Sequence, residues 1–328
     1  MRAWGVFGLL SLVWGASFLF IKIALAELGP LTLVALRVGF GLVFLLLVLR
    51  WQRLSLPRDP RLWGLLTVAG LFNTAVPFVL IAWSERTIDS GLASILNGTT
   101  PLFGLLIAHL VLHDERITGA KLIGVIISFI GLIIIVGRNP GSGFFSNVLG
   151  ELAVIAASLS YASTSVFVRR FLRDQPTTVL AIGQLASAEV FLLAGILLAE
   201  WPLRLPTLPI TWLSVLWLGI LGSGFAYLLY FYLIKEMGAS RTTTVTYAIP
   251  VVGVLLGVLV LHEAPDGRVL AGAGQHAAFG RFMQHQHAAQ DYHLSLIHIS
   301  EPTRLLSTSY AVFRLKKKKY TGCFHLIP

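Results

Sequence analysis

The sequence predicts an all-α protein that spans a lipid bilayer many times, and three observations predict it. Of its 328 residues, 56% are hydrophobic and only 12% are charged, about half the charged share of a soluble domain. The mean hydropathy is +0.80. The apolar residues come in unbroken blocks rather than stripes, which marks lipid as the solvent. Turn formers and charges separate the blocks: Gly29-Pro30, Pro57 and Pro60, Asn139-Pro140-Gly141, Pro176, and Pro206 with Pro209.

Nine blocks are each long enough to cross the hydrocarbon layer as a helix. They fall near 3–25, 31–50, 62–84, 90–112, 118–137, 148–168, 179–199, 211–234 and 239–262, and a tenth is expected from about Gly267. Many spans follow the first block and no small-residue cleavage site closes it, so it reads as a span and not as a secretory signal. The formal charge of +10 does not mark a nucleic-acid surface. Residues 1–264 hold 17 basic and 12 acidic side chains, and the last 64 residues hold 8 and 3. In the first set the basic residues sit mainly in short loops, where they fix orientation. With a cytoplasmic N-terminus, 12 loop Lys and Arg fall on the cytoplasmic side and 4 opposite, so that orientation is expected. The single cysteine, Cys323, leaves the apolar region without disulfides or thiol chemistry.

The chain repeats itself. Pro250 to Glu263 reads like Pro101 to Asp114 at an offset of 149, matching Gly104 with Gly253 and Leu112-His113 with Leu261-His262. Trp14-Gly15-Ala16-Ser17 aligns with Tyr161-Ala162-Ser163-Thr164 at an offset of 147, which sets Lys22 opposite Arg169. Five spans per unit is an odd number, so the second copy is expected to be inverted in the membrane. Secondary transporters are often built this way, with the substrate site at the repeat interface near the midplane.

Several elements carry a family resemblance: Trp14-Gly15-x-x-Phe18 with Lys22, Ala35-Leu36-Arg37, Ser94 through Pro101 to His113-Asp114-Glu115-Arg116, and Gly238-Ala239-Ser240 through Pro250 to Glu263. Over about residues 3–272 the sequence resembles the EamA-type permeases of the drug/metabolite transporter superfamily. The resemblance implies ten spans, both termini cytoplasmic in the bacterial inner membrane, and a central cavity lined mostly by spans 1–4 and 6–9. It also implies movement of metabolites, amino acids or drugs. The expected layout is a first five-span repeat at 1–140 and a second, inverted one at 147–272. Residues 273–328 depart from it. Gln275-His276 and Arg281 to His287 suit no bilayer core, and Leu294 to Arg304 with Lys316 to Lys319 resemble translated sequencing adapter ending in a poly-A run. These residues are expected to be a frameshifted, disordered tail in place of the native tenth span.

Candidate site residues follow from polarity inside apolar blocks. Glu189, mid-way along the seventh span, costs about 2.5–3.5 kcal/mol as a bare carboxylate. It reads either as a proton-coupling or substrate-amine group, or as a neutral carboxyl bonded between helices. Arg37 keeps its charge and needs a carboxylate, a carbonyl or water. It reads as a substrate-anion contact or as a clamp between helices, and its repeat counterpart lies near Gln184. A pair between Arg37 and Glu189 is open. Lys22 reads as snorkelling to the headgroups or facing the cavity. Trp14, Asn73, Asn97, Thr99, Thr100, Tyr227, Tyr230, Thr243, Thr246 and Tyr247 either bond neighbouring helices or line a pathway, and Asn97, Tyr227 and Tyr247 are favoured for the cavity.

Pro77, Pro101 and Pro250 each free a carbonyl four residues back, which suits gating or cavity shape. Glu115 and Glu263 read as interfacial charges, His109 as an interior histidine, and the histidines of the tail carry no metal-site expectation. No phosphate-cradling Gly-Lys loop, zinc spacing or nucleophile elbow occurs, so neither cofactor, metal nor catalytic residue is expected. The expected function is secondary transport of a small molecule by alternating access, most simply export. Without an ATP site it would be driven by a proton, another coupling ion or exchange. A membrane-embedded enzyme acting on lipid or isoprenoid is the alternative, and the sequence leaves monomer or homodimer open.

Overall fold

The computed structural model describes residues 2–111, 126, 144–237, 242, 244–264 and 267. All lie within Met1–Gly280, the first of two units into which the chain divides. Every regular element among the described residues is helical. Seven are long and apolar enough to cross a membrane: α1 Arg2–Ala24, α2 Pro30–Trp51, α3 Pro60–Ser84, α4 Ser90–Val111, α5 Asn147–Phe171, α6 Thr177–Ala199 and α7 Pro209–Tyr230. A shorter apolar helix, α8 Val245–Leu261, follows. These match eight of the nine predicted blocks, α8 being shorter than its block. The block at 118–137, residue 126 excepted, and the tail from 273 lie outside the described residues, as do Glu115 and Thr243.

Helix starts follow local chemistry. Pro30, Pro60 and Pro209 open their helices at the first turn, where a missing N–H costs nothing. Asp59 caps α3 by accepting from the Arg61 amide at 3.0 Å. Large side chains such as Leu47, Leu198 and Leu259 point outward (Leu198 is 88% exposed), as faces covered by acyl chains would. The core between helices is Leu33, Leu45, Ile95, Leu96, Ile182, Leu185 and Leu218, all fully buried.

α1 packs on α7 and α8, α2 on α6 and α7, α3 on α5 and α6, and α4 on α5 and α8. Small residues make the closest approaches, as expected where no hydrophobic drive separates protein from lipid. A Cβ on Gly219 would lie 2.7 Å from the Arg37 carbonyl, and one on Gly70 would lie 2.5 Å from the Gln184 carbonyl.

Two helices are wound wide in their middles. Leu71–Ala75 of α3 and Trp217–Phe225 of α7 are π-helical, with Val76 N–H reaching the Leu71 carbonyl and Ala226 N–H the Leu221 carbonyl. Such turns are rare and gather at functional sites. Pro77 therefore stands just after a π-turn rather than in a plain α-helix. α4 breaks outright. One segment ends at Asn97, another begins at Thr100, and Pro101 is the second residue of the new segment. Pro101 thus lies within the span, at an interruption of its helix. The Asn97 carbonyl that Pro101 cannot serve accepts instead from Thr100 Oγ1 at 2.8 Å and Ser158 Oγ at 3.5 Å. Pro250 does sit inside its helix.

Candidate functional site

Arg37 is a cation buried inside the bundle. It stands one helical turn beyond Leu33 on α2 and is only 6% exposed. Its Nε donates to Ser223 Oγ on the π-turn of α7 at 3.1 Å, and its Cζ lies 3.9 Å from the Phe78 ring centroid on α3. Phe78 meets Tyr161 of α5 edge-on at 6.4 Å. Tyr161, Tyr227 and Glu85 lie within electrostatic range of the guanidinium. Ser223 is its one hydrogen-bond partner, and no carboxylate stands within ion-pair distance, among the described residues. A cation–π contact and one hydroxyl leave most of a five-donor fork unused.

The wall beside it is polar and aromatic. Trp14 Nε1 of α1 donates to the Gly222 carbonyl at 3.2 Å, and its ring packs 5.6 Å from Tyr230. A Cβ on Gly222 would lie 3.3 Å from Ser17 Oγ and 4.0 Å from Arg37 Nη2, so glycine keeps this approach open. A parallel arrangement occurs on α3 and α6, where Asn73 Nδ2 donates to Gln184 Oε1 at 2.8 Å. Ser160 Oγ donates to the Phe72 carbonyl at 2.5 Å.

The family model for EamA-like transporters matches this chain twice, over residues 3–137 and 148–275. The chain belongs to the EamA-like transporter family. It is a membrane transporter, and the match ends close to where the tail was expected to begin. An uncharacterized transporter of Archaeoglobus fulgidus is 28% identical over 279 residues, covering 84% of this chain and 95% of that protein. The uncharacterized transporter YoaV of Bacillus subtilis is 27% identical over 271 residues, covering 80% and 90%. The uncharacterized inner membrane transporter YedA of Escherichia coli is 31% identical over 253 residues, covering 76% and 79%. A crystal structure of a protein at 23% identity shares the fold, with a TM-score of 0.63 over 85% of this chain and 95% of the other.

Within this transporter the other sequence candidates separate. Glu189 does not join Arg37. It lies against Gly39, where an added Cβ would stand 3.5 Å from Oε1, beside the outward-facing Val190. Its buried Oε2 has no partner. Asn97 Oδ1 is likewise buried and unpartnered at the break in α4. Tyr247 is buried in α8. His109 lies on an exposed face of α4, which corrects its interior reading.

Lys22 is spent on backbone. Its Nζ donates to the Glu85 carbonyl at 2.6 Å and the Ile88 carbonyl at 2.8 Å, clamping the C-terminal end of α3. Glu263, expected to be a plain interfacial charge, caps α4. It accepts from the Ser90 amide at 2.9 Å, Ser90 Oγ at 3.0 Å and the Gly91 amide at 3.1 Å. His262, in the left-handed region at φ 55°, ends α8 and brings Glu263 round.

Sequence reasoning missed two partners of the same kind. Glu200 accepts from the Leu31 and Thr32 amides, each at 2.9 Å, and so caps α2. Glu27 accepts from the Leu208 amide at 3.2 Å, and from the Thr207 amide and hydroxyl, and so caps α7. The Thr207 hydroxyl, followed by Thr211, holds the Glu27 carboxyl down at about 2. Helix N-termini at a membrane edge carry orphan amides and positive dipole ends, which carboxylates satisfy. Their signal was Glu following an apolar run, visible but without an evident target.

Proposed function

We propose that this protein is a secondary transporter that exports small carboxylate-bearing metabolites across the bacterial inner membrane by alternating access. The observation that carries the reading is Arg37, a buried guanidinium with spare donors and no acid beside it. A buried cation without a counter-ion is costly, and a substrate carboxylate would meet it bidentately. Trp14, Tyr161 and Tyr227 would flank the bound solute, and the wide turn at Gly222-Ser223 would shape its seat.

The halves of the chain are read as inverted copies, which the contacts support. Arg37 reaches Ser223 as Gln184 reaches Asn73. Trp14 donates to Gly222 as Ser160 donates to Phe72. The α1–α8 packing has its counterpart in α5–α4, and α2–α7 in α6–α3. A cytoplasmic N-terminus makes the capped end the outer one. That end is tied together by Glu27, Glu200, Glu263 and Lys22, and we read it as the closed side, with the solute loading from the cytoplasm for export. The inner-membrane placement agrees with the name of the Escherichia coli relative.

The test is thermal unfolding of the solubilised full chain against a panel of small carboxylates, their amides and simple amines. A carboxylate that binds should stabilise by about 2.7 kcal/mol at 100 times its Kd, with its amide much weaker. Equal shifts from acid and amide would remove the anion reading.

A further inference from the structure

The Glu85 carboxyl is the least expected group in the bundle. It follows α3 directly, at the capped end, and is 0% exposed. Neither Oε1 nor Oε2 has a hydrogen-bond partner. Lys22 lies close enough to act on it, yet the ammonium spends its bonds on the backbone carbonyls of Glu85 and Ile88 rather than on the carboxylate. That choice has a physical meaning. An ionised carboxylate with both oxygens bare and a lysine in range would draw the lysine to itself, because a buried unpaired charge costs far more than a neutral acid.

The other charged groups around it agree. Glu263, from the end of α8, adds a like charge, and Arg37 on α2 and Lys22 on α1 oppose it. Asp89 precedes α4, and Glu151 is buried on α5, which packs against α3 and has its own partner. Burial first, with Glu263 adding to it, pushes the Glu85 carboxyl well above the ordinary range against the pull of Lys22. Burial and Glu263 push Asp89 in the same direction.

We propose that Glu85 is a proton-binding site that latches the outer end of the transporter, separate from the Arg37 site. In the closed arrangement the carboxyl holds its proton and Lys22 clamps the end of α3. When the outer end opens, water takes the proton from the Glu85 oxygen and Lys22 turns from the carbonyls to the carboxylate. That releases the end of α3 and, beside it, the Ser90–Gly91 cap. One proton thus leaves per opening and returns per closing. Only the coupling to flux rests on the alternating-access reading; the proton itself does not.

The experiment uses the full chain in lipid. Infrared difference spectra are taken between about neutral and alkaline pH, following the C=O stretch of a protonated carboxylic acid. In a Glu189→Gln, Asp89→Asn background, which removes the other buried carboxyls that share the band, the chain should carry it at neutral pH, lose it on alkalinisation, and lack it once Glu85→Gln is added, while added Glu263→Gln keeps it. A band that survives Glu85→Gln in that background, or no band in the background itself, overturns the site.

Thermal midpoints give a second reading. A proton held more tightly by the folded chain supports stability fully below the ordinary carboxyl range, and that support fades as pH rises through the raised value. The wild-type midpoint should therefore fall with rising pH more steeply than that of Glu85→Gln. Glutamine mimics the neutral acid, so a Glu85→Gln chain that fails to fold while Glu85→Asp folds counts against the proposal. In vesicles, a pH gradient should change wild-type flux several-fold and leave Glu85→Gln unresponsive. A responsive Glu85→Gln overturns the coupling. If the infrared band behaves as described but no solute moves at all, the transport reading fails and the proton site stands.

Discussion

Replacing Arg37 by glutamine is expected to lower the affinity for a carboxylate solute roughly 30- to 150-fold, about 2–3 kcal/mol, the worth of charge-assisted hydrogen bonds to a desolvated anion. The same change should not lower the thermal midpoint of the unliganded protein. Arg37 makes a single hydrogen bond, to Ser223, and a ring contact with Phe78, and a cation set so deep without an acid partner gives the fold little net support. The two readouts together distinguish a binding residue from a clamp. Isothermal titration on the solubilised protein gives the first and a thermal melt gives the second. A clamp would lose stability and leave the affinity of the remaining folded protein unchanged.

Lys22→Met is expected to act the other way, costing about 2–3 kcal/mol of stability. Its ammonium makes two bonds, to the carbonyls of Glu85 and Ile88. Bonds to charged groups contribute about 1.5–3 kcal/mol each when buried, and Lys22 is only partly buried, so the lower range applies. Methionine keeps the stem but orphans both carbonyls at the end of α3. Glu263→Ala, which leaves the Ser90 and Gly91 amides uncapped, should cost less, about 1 kcal/mol. Chemical or thermal denaturation of the two variants side by side checks the order. A loss in Lys22→Met no larger than in Glu263→Ala would mean that the clamp is solvated and weak.

The helices were legible because lipid imposes a one-sided rule: each span must be apolar for its full length and must satisfy its own backbone. Arg37 was legible for the same reason, as a charge where none belongs. Its partner was not. Ser223 and Phe78 are ordinary residues in their own stretches, and only packing of α2 against α7 and α3 makes them a seat. The sequence offered Glu189 as the acid to pair with Arg37, since both lie deep in their helices, but they occupy different faces of α2's surroundings and Glu189 meets Gly39 instead. Helical phase across four packed helices is not readable from spacing along one. The caps show the same limit. Glu200 and Glu263 could be seen as charges ending apolar runs, but their targets lie 168 to 173 residues away in sequence. Wide turns at Leu71–Ala75 and Trp217–Phe225 left no sequence mark, because a π-turn adds a residue without changing composition.

The most direct measurement of the central claim is solute flux into vesicles containing the purified full chain, with a radiolabelled small carboxylate and its amide as paired tracers. Carboxylate uptake should be saturable, much faster than amide uptake, and should fall to the protein-free rate in Arg37→Gln. Uptake of neither tracer by protein that is folded in the same vesicles, or carboxylate uptake untouched by Arg37→Gln, would contradict it.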